Sequence, residues 1–65
     1  MQGVVTEFDD YKGLGTVRGE DGRELSFHCT QIADGTRTIE IGAKVTFDVV
    51  AGHHGKWEAS GLTPR

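Results

Sequence analysis

The chain has 65 residues, ten of them glycine, with 35 % apolar and 26 % charged residues. That composition suits one small folded domain over 1–65 rather than a disordered segment, and at this size only about 60 % of the surface of the unfolded chain is hidden on folding. A single cysteine, Cys29, excludes an internal disulfide framework and the thiolate set of a structural zinc site. Apolar runs are far shorter than the roughly 20 residues that cross a bilayer, and Gln2 and Gly3 after Met1 lack the basic, apolar start of a leader. The expectation is a soluble, cytoplasmic protein with no membrane partner. Seven Lys plus Arg against ten Asp plus Glu give a net charge of −3, which removes the usual electrostatic argument for a nucleic-acid partner without excluding one.

Apolar residues recur at alternate positions in short runs broken by glycine-rich clusters, the pattern of strands rather than helices. The first strand is predicted over residues 3–8, with Asp9, Asp10, Tyr11 and Lys12 as its turn, and the second over 14–18. Gly19 to Gly22 ends the second strand with an Asp-Gly pair suited to a tight hairpin. Residues 24–29 alternate cleanly, Leu25 and Phe27 on one face and Ser26 and His28 on the other. A single helical turn is expected at 30–32 and the longest loop at 33–41, which contains Gly35. Val45, Phe47 and Val49 make the most regular inward stripe; Gly52-His53-His54-Gly55 is a loop, and the last strand, over 56–62, is ambiguous in register. Five short antiparallel strands with glycines at the bends predict an all-β closed barrel, because closure removes edges that so short a chain cannot cover. The expected interior is Val5, Val17, Leu25, Phe27, Ile32, Val45, Phe47 and Val49.

The succession Gly3-Val4-Val5-x-x-Phe8, Lys12-Gly13-Leu14-Gly15-Thr16-Val17, Leu25-Ser26-Phe27-His28-Cys29, Gly35 to Ile39 and Ile41 to Phe47 resembles the bacterial cold-shock proteins over nearly the whole chain. The resemblance implies a five-stranded antiparallel barrel of the oligonucleotide-binding (OB) type, whose outer face on the first three strands stacks unpaired bases on aromatic rings. Lys12, Gly13, Gly15, Phe8 and His28 match the family pattern. Glu7 stands where the family has Trp, Leu14 and Thr16 where its second-strand motif has two Phe, Ser26 and Cys29 at ring positions of the third strand, and Thr36 near the aromatic of the long loop. The frame is kept and the binding surface rewritten. A stacked base contributes about 1–3 kcal/mol, so several lost rings remove much of the roughly −8 kcal/mol of a micromolar complex, and Glu7 adds repulsion.

What remains as a candidate nucleic-acid surface is Phe8, Tyr11, Lys12 and His28, with the substituted positions Leu14, Thr16 and Ser26, and with Arg18, Arg37 and Lys56 at its margins. Its bland counterpart is a solvated face with Phe8 half in the core and Tyr11 packed on its turn. Trp57 has two meanings. Pointing inward it closes a barrel end, the ordinary place for so large a ring; pointing outward it is a replacement stacking surface tolerant of any base. His28 and Cys29 are chain neighbours, which on a strand face opposite ways, so a catalytic pair there would need a bulge. His53 and His54 lack a third ligand and make a weak metal site. Gly13-Leu14-Gly15 lacks the lysine and helix of a phosphate loop and reads as barrel bends. The acids Glu7, Asp9, Asp10, Glu20 and Asp21 read as turn and surface solvation.

No enzyme and no cofactor are expected. The leading expectation is a module that binds single-stranded RNA or DNA weakly and with little sequence preference, acting passively to keep strands unpaired. The alternative is a protein-interaction module, including self-association, on an exposed apolar patch of Val4, Leu14, Cys29 and Trp57.

Overall fold

A computed structural model describes all residues except Asp34, Thr36, Arg37, His53 and His54. Among the described residues, five strands form in chain order: β1 (Gln2–Asp9), β2 (Leu14–Gly19), β3 (Glu24–His28), β4 (Lys44–Ala51) and β5 (Trp57–Pro64), with a 3-10 turn (Cys29–Gln31) after β3. They close into a barrel in the order β1-β2-β3-β5-β4. The pairs β1–β2, β1–β4, β2–β3 and β4–β5 are antiparallel, as expected, whereas the closing pair β3–β5 is parallel, through Ser26 and Glu58. Strand β5 thus runs alongside β3 in the same direction, and the short contact there completes the circuit.

The β2–β3 hairpin forms where the Asp-Gly signal stands. Gly22 has φ +86° and donates to the Gly19 carbonyl at 2.9 Å, while the Asp21 carboxylate accepts from the Arg23 N–H at 3.0 Å. Strand β3 stops at His28, one residue earlier than expected, because the His28 ring takes the N-cap position: its Nδ1 accepts from the Thr30 N–H at 3.3 Å. The 3-10 turn is fastened to β5 by Ser60 Oγ, which donates to Gln31 Oε1 at 2.8 Å, and by the Ala33 N–H, which donates to the Leu62 carbonyl at 2.7 Å.

The buried interior consists of Val5, Val17, Leu25, Phe27, Ile32, Val45, Phe47, Ala59 and Leu62. Val49 is a correction: it lies opposite Ala59 at the edge of the core and is only partly buried. Ala59 and Leu62 were hidden from a period-two reading by a bulge. Between Thr46–Thr63 and Asp48–Ser60, β5 holds one residue more than β4, and Gly61 there has φ +64°. A left-handed glycine absorbs the extra residue, so the inward positions of β5 are three apart rather than two.

A second bulge reorients β1. Val5 pairs with Val17 but Glu7 pairs with Thr16, leaving Thr6 as the additional residue. Past it the alternation is reversed: Glu7 faces out, and Phe8, opposite Gly15, faces the barrel and packs on the core.

Candidate nucleic-acid interface

The registers arrange the outer surface of β1–β3 in rungs, because residues paired directly across a sheet share a face. Asp9, Leu14 and His28 form one rung; Glu7, Thr16, Ser26 and, across the closure, Glu58 form the next; Val4, Arg18 and Glu24 form the third. A shallow groove runs over the first two, lined by Phe8, Leu14, Gly15, Thr16, Ser26 and Ile41, with the carboxylates of Glu7 and Asp9 on its wall.

The expected site residues are not all brought to one place. Leu14, Thr16, Ser26 and His28 stand together on the outer face, Leu14 and Ser26 exposed and Thr16 half-buried. His28 Nδ1 is occupied by the Thr30 backbone N–H and lies 3.1 Å from Thr30 Oγ1, so in the neutral ring the proton sits on Nε2, the nitrogen left for a ligand. Phe8 reaches the groove floor but turns its ring against Phe27, centroids 6.0 Å apart and planes 12° from parallel. It is a foundation more than a platform. Tyr11 and Lys12 lie in the β1–β2 turn, held by the Asp9 carboxylate, which accepts from the Tyr11 N–H at 3.0 Å and the Lys12 N–H at 3.1 Å. Tyr11 is 98 % exposed; it does not pack on its turn. Arg37, like Thr36, His53 and His54, lies outside the described residues.

Trp57 points outward, 54 % exposed, against the expectation that favoured closing a barrel end. Leu62 and Ile32, bridged to each other, already bury themselves between β5 and the turn. Trp57 instead lines a second depression with Thr16, Arg23, Glu24, Ser26 and Lys56. Thr16 and Ser26 belong to both grooves, so the two are continuous across the sheet. Arg18 sits on the third rung, apart from both.

Cys29 begins the 3-10 turn rather than ending a strand, which brings its Sγ within 3.8 Å of His28 Nδ1. That nitrogen already accepts from Thr30, and Cys29 packs on the core, so the two form a cap and a filler rather than a nucleophile with its base. Among the described residues no three metal-ligating side chains cluster, and no helix is long and apolar enough to cross a membrane.

Two contributors were not foreseen. Ile41, 66 % exposed, covers the groove beside Leu14 and Phe8; its only signal in the sequence is an unpaired apolar side chain between Glu40 and Gly42. Arg23, after the hairpin glycine, reaches the Trp57 depression, a placement that only the closure of β3 on β5 reveals.

Comparison with known proteins agrees with this geometry. The family model described as the 'Cold-shock' DNA-binding domain matches residues 1–64. The chain is 39 % identical over 64 residues to Cold shock protein 1 of Lactiplantibacillus plantarum, covering 97 % of this chain and 96 % of that one. It is 39 % identical over 61 residues to the Cold shock-like protein CspC of Bacillus cereus, covering 92 % and 94 %, and 40 % identical over 55 residues to the Major cold shock protein of Streptococcus pyogenes, covering 83 % and 82 %. With the closed five-stranded barrel and the groove on its first three strands, these matches show that the chain belongs to the cold-shock domain family.

Proposed function

We propose that this chain is a single cytoplasmic cold-shock module that binds single-stranded RNA or DNA weakly and with low sequence preference, acting as a passive nucleic-acid chaperone or regulator. The observation that carries the reading is the continuous outer track from Leu14 and His28 through Thr16 and Ser26 to Trp57, on the surface that resembles the family's base-stacking face. Phe8, Tyr11, Lys12, Leu14, Thr16, Ser26, His28, Arg37 and Trp57 are its proposed contacts. Weakness follows from the same surface. Glu7 and Asp9 line the groove where phosphates would pass, and of the five aromatic residues Phe27 and Phe47 are buried and Phe8 is stacked inward.

The separation of the apolar residues supports this reading over the protein-interaction alternative. Val4 and Leu14 lie on the first and third of the three rungs, with Glu7, Thr16 and Ser26 between them, roughly 13 Å apart along β2 at about 3.3 Å per residue. Cys29 is half-buried.

The test is a titration of a labelled pyrimidine-rich single strand at low and moderate salt. Each phosphate contact to a single strand contributes about −0.7 to the slope of log K against log salt. Two or three cations at the track give an expected slope of about −1.4 to −2, with an affinity weaker than micromolar. Absence of binding at millimolar protein and low salt would remove the reading.

A further inference from the structure

We infer that the principal base-stacking subsite of this chain is Trp57, at the β5 end of the track, with the adjoining phosphate held by Lys56 and Arg23. The inference rests on the single-strand reading above and adds where on the surface the base goes.

Three observations converge on it. The first is ring availability. Phe27 and Phe47 are interior and Phe8 is half-buried against Phe27, so Tyr11 and Trp57 are the exposed rings among the Phe, Tyr and Trp residues. Tyr11 stands clear of the barrel in a turn, where a base stacked on it would meet no second wall. Trp57 sits at the start of β5, in a depression walled by β2 and β3, so a stacked base there is held from the side as well as from below.

The second is charge. At the Phe8 end the groove is lined by Glu7 and Asp9 and, among the described residues, by no cation. Around Trp57 the lining charges are Arg23, Lys56 and Glu24, with Asp21 beside Arg23 and Glu58 paired with Ser26, so carboxylates are present but two cations stand among them. A phosphodiester therefore finds side-chain cations at the Trp57 end of the track and carboxylates at the other. Arg23 is free to turn to it: its Nε is 3.7 Å from Asp21 Oδ2, and both side chains are about half exposed, an arrangement of little strength in water.

The third is continuity. Thr16 and Ser26, shared by the two depressions, present hydroxyls between the rings of Phe8 and Trp57. Hydroxyls at these positions can hydrogen-bond a base edge or a sugar without demanding one base, while indole stacking accepts any base. A strand crossing from β5 toward β2 thus meets a ring and cations first, then the Thr16 and Ser26 positions flanked by Glu58 and Glu7, then the acidic end.

Trp57 is the only tryptophan, so its emission reports this subsite alone. Hexathymidylate is titrated into the full chain while Trp57 fluorescence and the anisotropy of a labelled copy of the strand are followed together. The expected result is saturable quenching on the same isotherm as the anisotropy. Trp57→Ala should weaken binding about 5- to 160-fold, with Trp57→Phe retaining most of the affinity. Arg23→Ser with Lys56→Ser should flatten the salt slope by about 0.7, the loss of one phosphate contact. Thermal melts of each variant confirm folding. Strand binding that leaves Trp57 emission unchanged and is weakened less than twofold by Trp57→Ala would overturn the subsite while leaving the single-strand reading in place. No binding of hexathymidylate by the wild type would overturn both.

Discussion

Phe8 and Phe27 lie nearly parallel, centroids 6.0 Å apart and planes inclined by 12°, on β1 and β3 with Gly15 of β2 between them. The stack exists because β2 has no side chain at that position. A Cβ on Gly15 would come within 2.5 Å of Phe27 Cζ and 2.9 Å of the Glu7 carbonyl oxygen. The bulge at Thr6 turns Phe8 inward, and Gly15 leaves room for it, so the groove floor is built from the core outward.

Gly15→Ala should therefore destabilise the fold by about 1–3 kcal/mol, the usual effect of overpacking, although alanine is better tolerated than glycine in most strands. Urea unfolding followed by Trp57 emission measures it. An unchanged midpoint would show that the Phe8–Phe27 stack does not constrain β2.

Phe27 and Phe47 are the largest residues of the interior, 2 % and 3 % exposed. Truncating either to alanine should cost about 3–5 kcal/mol through the cavity left behind. A core this small supplies only about 3–5 kcal/mol in total. Both variants should be largely unfolded at room temperature; a sharp, native-like thermal melt in both would contradict the core assignment.

Restoring rings to the outer face should restore affinity. In Glu7→Trp, Leu14→Phe, Thr16→Phe and Ser26→Phe together, each ring adds a stacking surface worth about 1–3 kcal/mol per base, and the first also removes a carboxylate. Glu7, Thr16 and Ser26 share an outer rung and Leu14 lies on the next, so the barrel should tolerate all four. Anisotropy with a labelled single strand should show a gain of at least tenfold with nearly the same salt slope, since no phosphate contact is added. A folded variant that gains nothing would count against this face.

Much of the barrel was legible where strands alternate without interruption. Val17, Leu25, Phe27, Val45 and Phe47 were read as interior from their spacing and are buried, and the Asp21-Gly22 turn formed as its chemistry dictates. The reading failed where a bulge breaks the period. Gly61 shifts the inward positions of β5 to Ala59 and Leu62, and Thr6 exchanges the facing of Glu7 and Phe8. Neither shift leaves a local signal beyond one glycine or one threonine. Trp57 was undecidable for a different reason: its direction depends on where β5 meets β3, a contact between residues 32 positions apart, at Ser26 and Glu58. Ser26 and His28 share the face of β3 that alternation gives them, the family resemblance marks that face and Leu14 and Thr16 of β2 as a binding surface, and Ile41 and Arg23 join it only through tertiary closure.

The central claim is that a single strand follows the outer track of β1–β3 to Trp57. Amide and indole chemical-shift mapping of the labelled chain during a hexathymidylate titration tests it most directly. The account predicts that the largest shifts fall on Leu14, Thr16, Ser26, His28 and the Trp57 indole, with little change at Asp48 and Val50 on β4. Shifts concentrated on β4, or none along the track at saturating strand, would contradict it.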